Sequence, residues 1–283
     1  MRKILAFRLG LFAFVFSITT SCSKELIDDG LNLSHPYLNR ITTFDSKGNS
    51  EYIFLKPQYN DIGRIISVYN DIVGYDAYYA YEYYPDSIAV TLSSKDGGIS
   101  KLSYLIKDGL IILCKGYIAD PLTTRYISLN YGYEGKFLTT ISGKDLYVSN
   151  SGDIDDFGGN LNIKIEWNGG NISKIISYSD KSDFIGTYTY EYVYEPNYQV
   201  SFPMIQLSCY YLGGVMGIDE ALASCGYFGT VSSKDLPVKE YYSDRLTRVF
   251  RYSLNKDGYI SEIKQMKDDN SDRVVMSYVF DWK

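Results

Sequence analysis

A short apolar motif recurs along this chain and limits it to one kind of architecture. Gly63-Arg64-Ile65-Ile66-Ser67-Val68 is matched by Gly170-Asn171-Ile172-Ser173-Lys174-Ile175, and again by Gly258-Tyr259-Ile260-Ser261-Glu262-Ile263. About 20 residues after each glycine comes an aromatic run of strand length: Tyr79-Ala80-Tyr81-Glu82-Tyr83, Tyr188-Thr189-Tyr190-Glu191-Tyr192 and Met276-Ser277-Tyr278-Val279-Phe280. Weaker copies begin near Ile99, Phe137 and Leu246. Each copy reads as a turn, a strand, a loop and a returning strand, which is one hairpin. A lone hairpin is marginal in water, so the copies must add edge to edge. About 12 to 15 strands are expected, and a sheet that wide twists until it curls or closes. The expected fold is all-β: an antiparallel meander of repeated hairpins forming one strongly curved sheet or barrel-like domain.

Composition agrees. Tyrosine supplies 30 of 283 residues and suits a pleated, half-buried surface, while 24 glycines mark turns. Turns are read at Asp45-Ser46-Lys47-Gly48-Asn49, Asp96-Gly97-Gly98, Lys107-Asp108-Gly109, Asn168-Gly169-Gly170-Asn171 and Asn255-Lys256-Asp257-Gly258. Alternation places Tyr188, Tyr190, Tyr192 and Tyr194 on one face of their strand, expected to be the packed face with hydroxyls bonded at its rim. One short helical insertion is predicted near 217–225, with Asp219 acting near its start and Gly226 stopping it.

The N-terminus reads as an address. Arg2, Lys3 and Arg8 precede or interrupt an apolar run over 4–18 that is too short to span a membrane comfortably. Thr19-Thr20-Ser21 then leads into Cys22, the arrangement of small residues before an acylated cysteine. The expected organisation is a lipoprotein signal peptide over 1–21, a flexible tether over 22–39 behind a lipidated Cys22, and a single antiparallel β domain over 40–283. Loss of the leader's three basic residues leaves 25 Lys and Arg against 34 Asp and Glu, a net charge of −9. That balance argues against nucleic acid and anionic lipid as partners. In an oxidising compartment Cys209 and Cys225 are candidates for a bridge, while Cys114, in the run Leu110-Ile111-Ile112-Leu113-Cys114, is expected as a buried thiol.

Catalytic constellations do not survive inspection. The one histidine, His35, lies in the tether, which disfavours Ser-His-Asp, Cys-His and zinc centres. Asp153-Ile154-Asp155-Asp156-Phe157-Gly158 begins like a calcium loop but carries Lys164 where the bidentate glutamate belongs, so no metal is expected. Gly213-Gly214-Val215-Met216-Gly217 lacks the Lys-Ser/Thr of a phosphate loop. Neither a catalytic residue nor a cofactor is assigned. Two carboxylates from among Glu82, Glu166, Glu191 and Glu262 would make a glycosidase-like hydrolase if a cleft held them together. Tyr278, Phe280 and Trp282 alternate at the C-terminus as in a transmembrane barrel, but tyrosine and charge run through mid-strand where a lipid face should be aliphatic.

The Cys22 leader, the Gly-x-Ile-x-x-Ile/Val hairpins and the closing aromatic strand resemble a bacterial outer-membrane lipoprotein family of unknown function, described as having a porin-like fold. The most particular match is Cys225-Gly226-Tyr227-Phe228-Gly229-Thr230-Val231-Ser232-Ser233-Lys234-Asp235-Leu236-Pro237. The resemblance runs over 40–283 and brings no activity with it. It implies a curved, many-stranded antiparallel sheet or barrel on an outer-membrane lipoprotein. The expectation is therefore a non-enzymatic β domain, lipid-anchored at the outer membrane or cell surface. Its partners would be the membrane, through the anchor, and a surface ligand, either glycan or protein. Exposed tyrosines and Trp167 offer stacking platforms for sugar rings. The alternatives are the carboxylate hydrolase and a structural or assembly lipoprotein, for which a long unpaired sheet edge would be the sign.

Overall fold

The computed structural model describes residues 38–283 apart from 49, 73–74, 96, 120–122, 150–153, 180–185, 197, 199–218 and 268–272. Cys22, His35, Asp153, Cys209 and 213–217 therefore lie outside the described residues. Sixteen strands follow one another: β1 (Leu38–Asp45), β2 (Ser50–Tyr59), β3 (Ile65–Ile72), β4 (Tyr75–Tyr83), β5 (Ser87–Ser94), β6 (Ile99–Lys107), β7 (Leu110–Ala119), β8 (Thr123–Glu134), β9 (Phe137–Ser149), β10 (Ile154–Asn168), β11 (Asn171–Ser179), β12 (Gly186–Val193), β13 (Leu236–Tyr242), β14 (Arg245–Leu254), β15 (Ile260–Met266) and β16 (Val274–Trp282). Each pairs antiparallel with the next, and β1 closes on β16, so the meander is a closed barrel. The expected 12 to 15 strands become 16, and β1 begins two residues inside the segment read as tether. Closure removes both sheet edges, and with them the sign that would have favoured an assembly role. Among the described residues no helix is long and apolar enough to cross a membrane, which says nothing of strands.

The spacing of three in the repeated motif has a structural cause. Register slips by one residue where seven odd strands begin. Leu38 and Arg40, Ile65 and Ser67, Ile111 and Leu113, Leu138 and Thr140, Ile172 and Lys174, Pro237 and Lys239, and Ile260 and Glu262 each face adjacent positions on the preceding strand. Each is a β-bulge with one residue left out of the ladder. The bulge shifts the alternation, so the residue three places on turns inward again. Ile65 and Val68, Ile111 and Cys114, Leu138 and Ile141, Ile172 and Ile175, and Ile260 and Ile263 are all at most 3% exposed. The pairing of β4 with β5 alone among these joints has no slip.

A bulge frees backbone groups that must find other partners. Aromatic side chains closing the even strands take the carbonyls. Tyr59 Oη donates to Leu38 O, Tyr83 Oη to Ile65 O, Tyr133 Oη to Ile111 O, Trp167 Nε1 to Leu138 O, Tyr192 Oη to Ile172 O, Tyr252 Oη to Pro237 O and Trp282 Nε1 to Ile260 O, at 2.5–3.1 Å. Seven bulges have seven aromatic clasps, and the hairpin of β5 and β6 has neither. All clasps lie at the rim where β1 begins and β16 ends, called here the terminal rim.

The amides are served by the connection that follows β12. Its segment 219–235 opens with helix α1 (Glu220–Ser224), capped by the Asp219 carboxylate, which accepts from Leu222 N–H at 2.9 Å. Gly226 ends the helix at φ +80°, as the sequence predicts. The Cys225 thiol bonds the backbone of Ile65, and the carbonyls of Tyr227 and Thr230 accept from Ile111 N–H and Leu138 N–H. Ser233 Oγ accepts from Ile172 N–H at 3.0 Å. The segment that carries the family resemblance is thus a strap stitched across four bulges. Phe228, fully buried, sits edge-on between Tyr104 and Tyr131, with ring centroids 6.2 and 5.1 Å away.

One apolar cluster runs around the inside of the barrel and joins this strap, with Ile41, Ile88, Ile111, Leu129, Leu138, Leu222 and Ile263 all at 0% exposure. On that inner face β7 and β9 bend at Gly116 and Gly143, with φ of +153° and +152°. A Cβ at either would lie 2.0 Å from a neighbouring strand's carbonyl oxygen, so only glycine fits.

Candidate functional site

Polarity is the first property of the barrel wall that bears on function. At mid-height on the outer face, Ser103 pairs with Lys115, Lys115 with Ser128, and Ser128 with Lys144 across four neighbouring strands. Elsewhere the outer face carries cross-strand or same-strand ion pairs: Lys164 with Glu166 at 2.7 Å, Lys239 with Glu191 at 3.3 Å and Lys264 with Glu262 at 3.2 Å. In lipid each mid-plane lysine would cost about 2–4 kcal/mol. Tyr278 and Phe280, which alternate like the closing strand of a transmembrane barrel, are 4% and 5% exposed and point into the core, while Trp282 is a clasp.

The sequence-predicted carboxylates are not brought together. Glu82, Glu166, Glu191 and Glu262 sit on β4, β10, β12 and β15, no two of which are neighbours, and all face outward. Glu82 accepts from Tyr84, Glu191 from Tyr241, and Glu166 is held below the usual carboxylate range chiefly by its hydrogen bond from Lys164. No cleft joins a pair of them for glycosidase chemistry. Among the described residues no three of His, Cys, Asp and Glu approach closely enough to hold a metal. Trp167 gives its Nε1–H to Leu138 O, and its ring lies 5.0 Å from that of Phe137. Cys225 carries a free thiol that burial pushes up to about 11, and its candidate partner Cys209 lies outside the described residues. Cys114 is a fully buried free thiol, as its apolar run predicts. Tyr188 and Tyr190 pack on the core as expected, but Tyr194 is 69% exposed, since β12 ends at Val193 before alternation reaches it.

The burial of two acids escaped the sequence reading. Asp219 accepts from Tyr81 Oη at 3.0 Å besides capping α1, and burial pushes its carboxyl up to about 6. Glu240 on β13 is 1% exposed, and burial pushes it up to about 7 even though Arg248, 3.5 Å away on β14, pulls the other way. Thr247 Oγ1 donates to Glu240 Oε1, while Oε2 has no partner. The signal existed: Asp235-Leu236-Pro237-Val238-Lys239-Glu240 aligns with the repeated motif, with Asp235, Pro237 and Glu240 in place of its glycine and two apolar anchors.

A hollow on the outside of the wall lies over β2, β3 and β4. Two cross-strand rows form it: Lys56, Tyr69 and Tyr78, then Gln58, Ser67 and Ala80. Ser67 and Ala80 are short, so the taller side chains stand around a hollow of ≈ 240 Å³ lined by Lys56, Gln58, Ser67, Tyr69 and Tyr78. Its side chains are set in place. Ser67 Oγ donates to Gln58 Oε1 at 2.9 Å, and Tyr69 Oη donates to Asp76 Oδ1 at 3.1 Å. Asp76 also pairs with Lys95 at 3.4 Å, and these bonds, Tyr69 first, hold its carboxyl below the usual range.

No family model and no curated protein matches the chain. Among solved structures it is similar to a porin-like protein from Bacteroides vulgatus, with a TM-score of 0.54 and 16% identity over 88% of this chain and 99% of that one. It is equally similar to a porin-like protein from Bacteroides uniformis, with a TM-score of 0.54 and 13% identity over 87% and 98% of the two chains. At these identities the likeness is one of fold.

Proposed function

We propose that this chain is a non-enzymatic, lipid-anchored β-barrel of the bacterial outer membrane or cell surface, which binds a glycan on its outer wall rather than conducting solutes through its middle. The observation that carries the reading is the mid-height ladder Ser103, Lys115, Ser128 and Lys144, which turns water-seeking groups outward. Inside, Ile41, Ile88, Ile111, Leu129 and Ile263, all at 0% exposure, belong to one packed apolar cluster. A barrel of that polarity is soluble, and an anchor at Cys22 would hold it at a bilayer. The porin-like neighbours support an envelope setting through their fold. Aromatic faces with unspent polar groups at the hollow support a sugar-like ligand.

Mass spectrometry of the purified protein should find a diacyl or triacyl adduct on Cys22, and a glycan array should give a hit. An unmodified N-terminus beginning elsewhere overturns the anchor. Ion conductance after reconstitution in a planar bilayer overturns the soluble barrel.

A further inference from the structure

We infer that the outer hollow on β2, β3 and β4 is a subsite for a single acidic sugar ring, one bearing a carboxylate. The inference rests on the glycan-binding reading and names the place and the ligand class. Its argument is an account of which groups are spent. Ser67 gives its proton to Gln58, and Tyr69 gives its proton to Asp76. Asp76 is further occupied by Lys95. The hydroxyl oxygens of Ser67 and Tyr69 keep acceptor capacity, and the donors left unspent are the amide NH2 of Gln58 and the ammonium of Lys56, which has no carboxylate partner among the described residues. Beside these donors the ring of Tyr78 is 45% exposed.

An unpaired ammonium and an amide donor next to an aromatic face favour a ligand with oxygen acceptors and one apolar side. A pyranose has that shape, with axial C–H groups on one face and hydroxyl oxygens at its edge. One ammonium matches one carboxylate; a phosphate dianion would leave charge unmet beside Asp76. At ≈ 240 Å³ the hollow is smaller than sites for drug-sized ligands, about 300–1,000 Å³. It therefore takes one ring, with the rest of the chain in solvent. The carboxylate would lie on Lys56 Nζ, a ring hydroxyl on Gln58, and the C–H face on Tyr78.

The experiment is calorimetric titration of the full-length protein with the trisaccharide of galacturonic acid and with the neutral trisaccharide of galactose. Lys56 and Tyr78 are exposed, so their variants should fold, which circular dichroism would verify. The acidic trisaccharide should bind more tightly than the neutral one. Tyr78→Ala should weaken both about tenfold. Lys56→Gln should weaken the acidic ligand about threefold and leave the neutral one unchanged. Equal binding of the two trisaccharides with Lys56→Gln silent overturns the carboxylate. Binding that survives both substitutions overturns the site and leaves the glycan reading standing. Failure of both trisaccharides overturns the acidic-sugar assignment, and failure of a broad glycan array as well overturns the glycan reading itself.

Discussion

Hairpins β11–β12 and β13–β14 are neighbours built on one plan, yet they bury different chemistry. In the first, the bulge at Ile172 turns Ile175 inward, and Tyr192 clasps the freed carbonyl. In the second, the bulge at Pro237 turns Glu240 inward, and Tyr252 makes the clasp. Ile175 and Glu240 are both 1% exposed. The backbone device thus works regardless of what stands three residues on, and whatever stands there is driven into the core. For isoleucine that burial is favourable. For glutamate it strips water from a carboxylate and returns one arginine at 3.5 Å and one threonine hydroxyl, with Oε2 unserved. A buried ion pair of this kind is commonly no better than an apolar side chain of the same size.

The contrast can be broken most directly by exchanging side chains at the two matched positions. Ile175→Ala should cost about 2–5 kcal/mol, the range for truncating a buried isoleucine. Replacing the pair together, Glu240→Met with Arg248→Met, should cost nothing or raise stability, since it removes both desolvated charges. Urea unfolding of these variants decides the matter. A large loss for the double variant would mean that the pair holds β13 to β14.

Acidity sharpens the same contrast. The folded pKa of Glu240, about 7, stands above its ordinary value of 4.5. Below pH about 4.5 the carboxyl is protonated in both states, and its contribution to stability is fully present. Between there and about 7 only the folded chain keeps the proton, so stability falls as pH rises and levels off above. At 1.36 kcal/mol per unit the loss is at most about 3 kcal/mol. Asp219, raised from 3.8 to about 6, acts in the same direction over a lower window. Relative to Glu240→Gln, the wild type should therefore lose stability between pH about 5 and about 7.5. A gap that stays constant over that range would show that Glu240 is ionised throughout.

Hairpins, turns and the capped helix were legible in the sequence because each is local. Glycines at 63, 170 and 258, the alternating tyrosines of β12 and Asp219 ahead of its helix all act within a few residues of themselves. The bulges were visible only as an unexplained spacing of three, since a slip of register belongs to two strands at once. The clasps join residues 15 to 29 apart, such as Tyr252 with Pro237 and Trp167 with Leu138, and nothing in either residue names its partner. Glu240 was hidden because Asp235, Pro237 and Glu240 stand where the other copies have glycine and two apolar residues, which masked a copy of the motif. The outer hollow depends on Ala80 and Ser67 falling side by side, and that follows from the bulge at Ile65 and from no pattern along the chain.

The clasps supply the finest test of how far the two hairpins are equivalent. Tyr192 Oη donates to Ile172 O and also accepts from Ser233 Oγ at 2.9 Å, so it ties the strap to the bulge. Tyr252 Oη donates to Pro237 O, and among the described residues no strap residue bonds it. Replacing either tyrosine by phenylalanine keeps the ring in the core and removes one hydroxyl. Tyr252→Phe should cost about 1 kcal/mol, the net worth of a hydrogen bond. Tyr192→Phe should cost a few tenths more, and it should speed hydrogen exchange at the Ile172 amide, because Ser233 loses the group that orients it. If both variants unfold at the wild-type urea midpoint, the freed carbonyls are served by water and the aromatic clasps are packing alone.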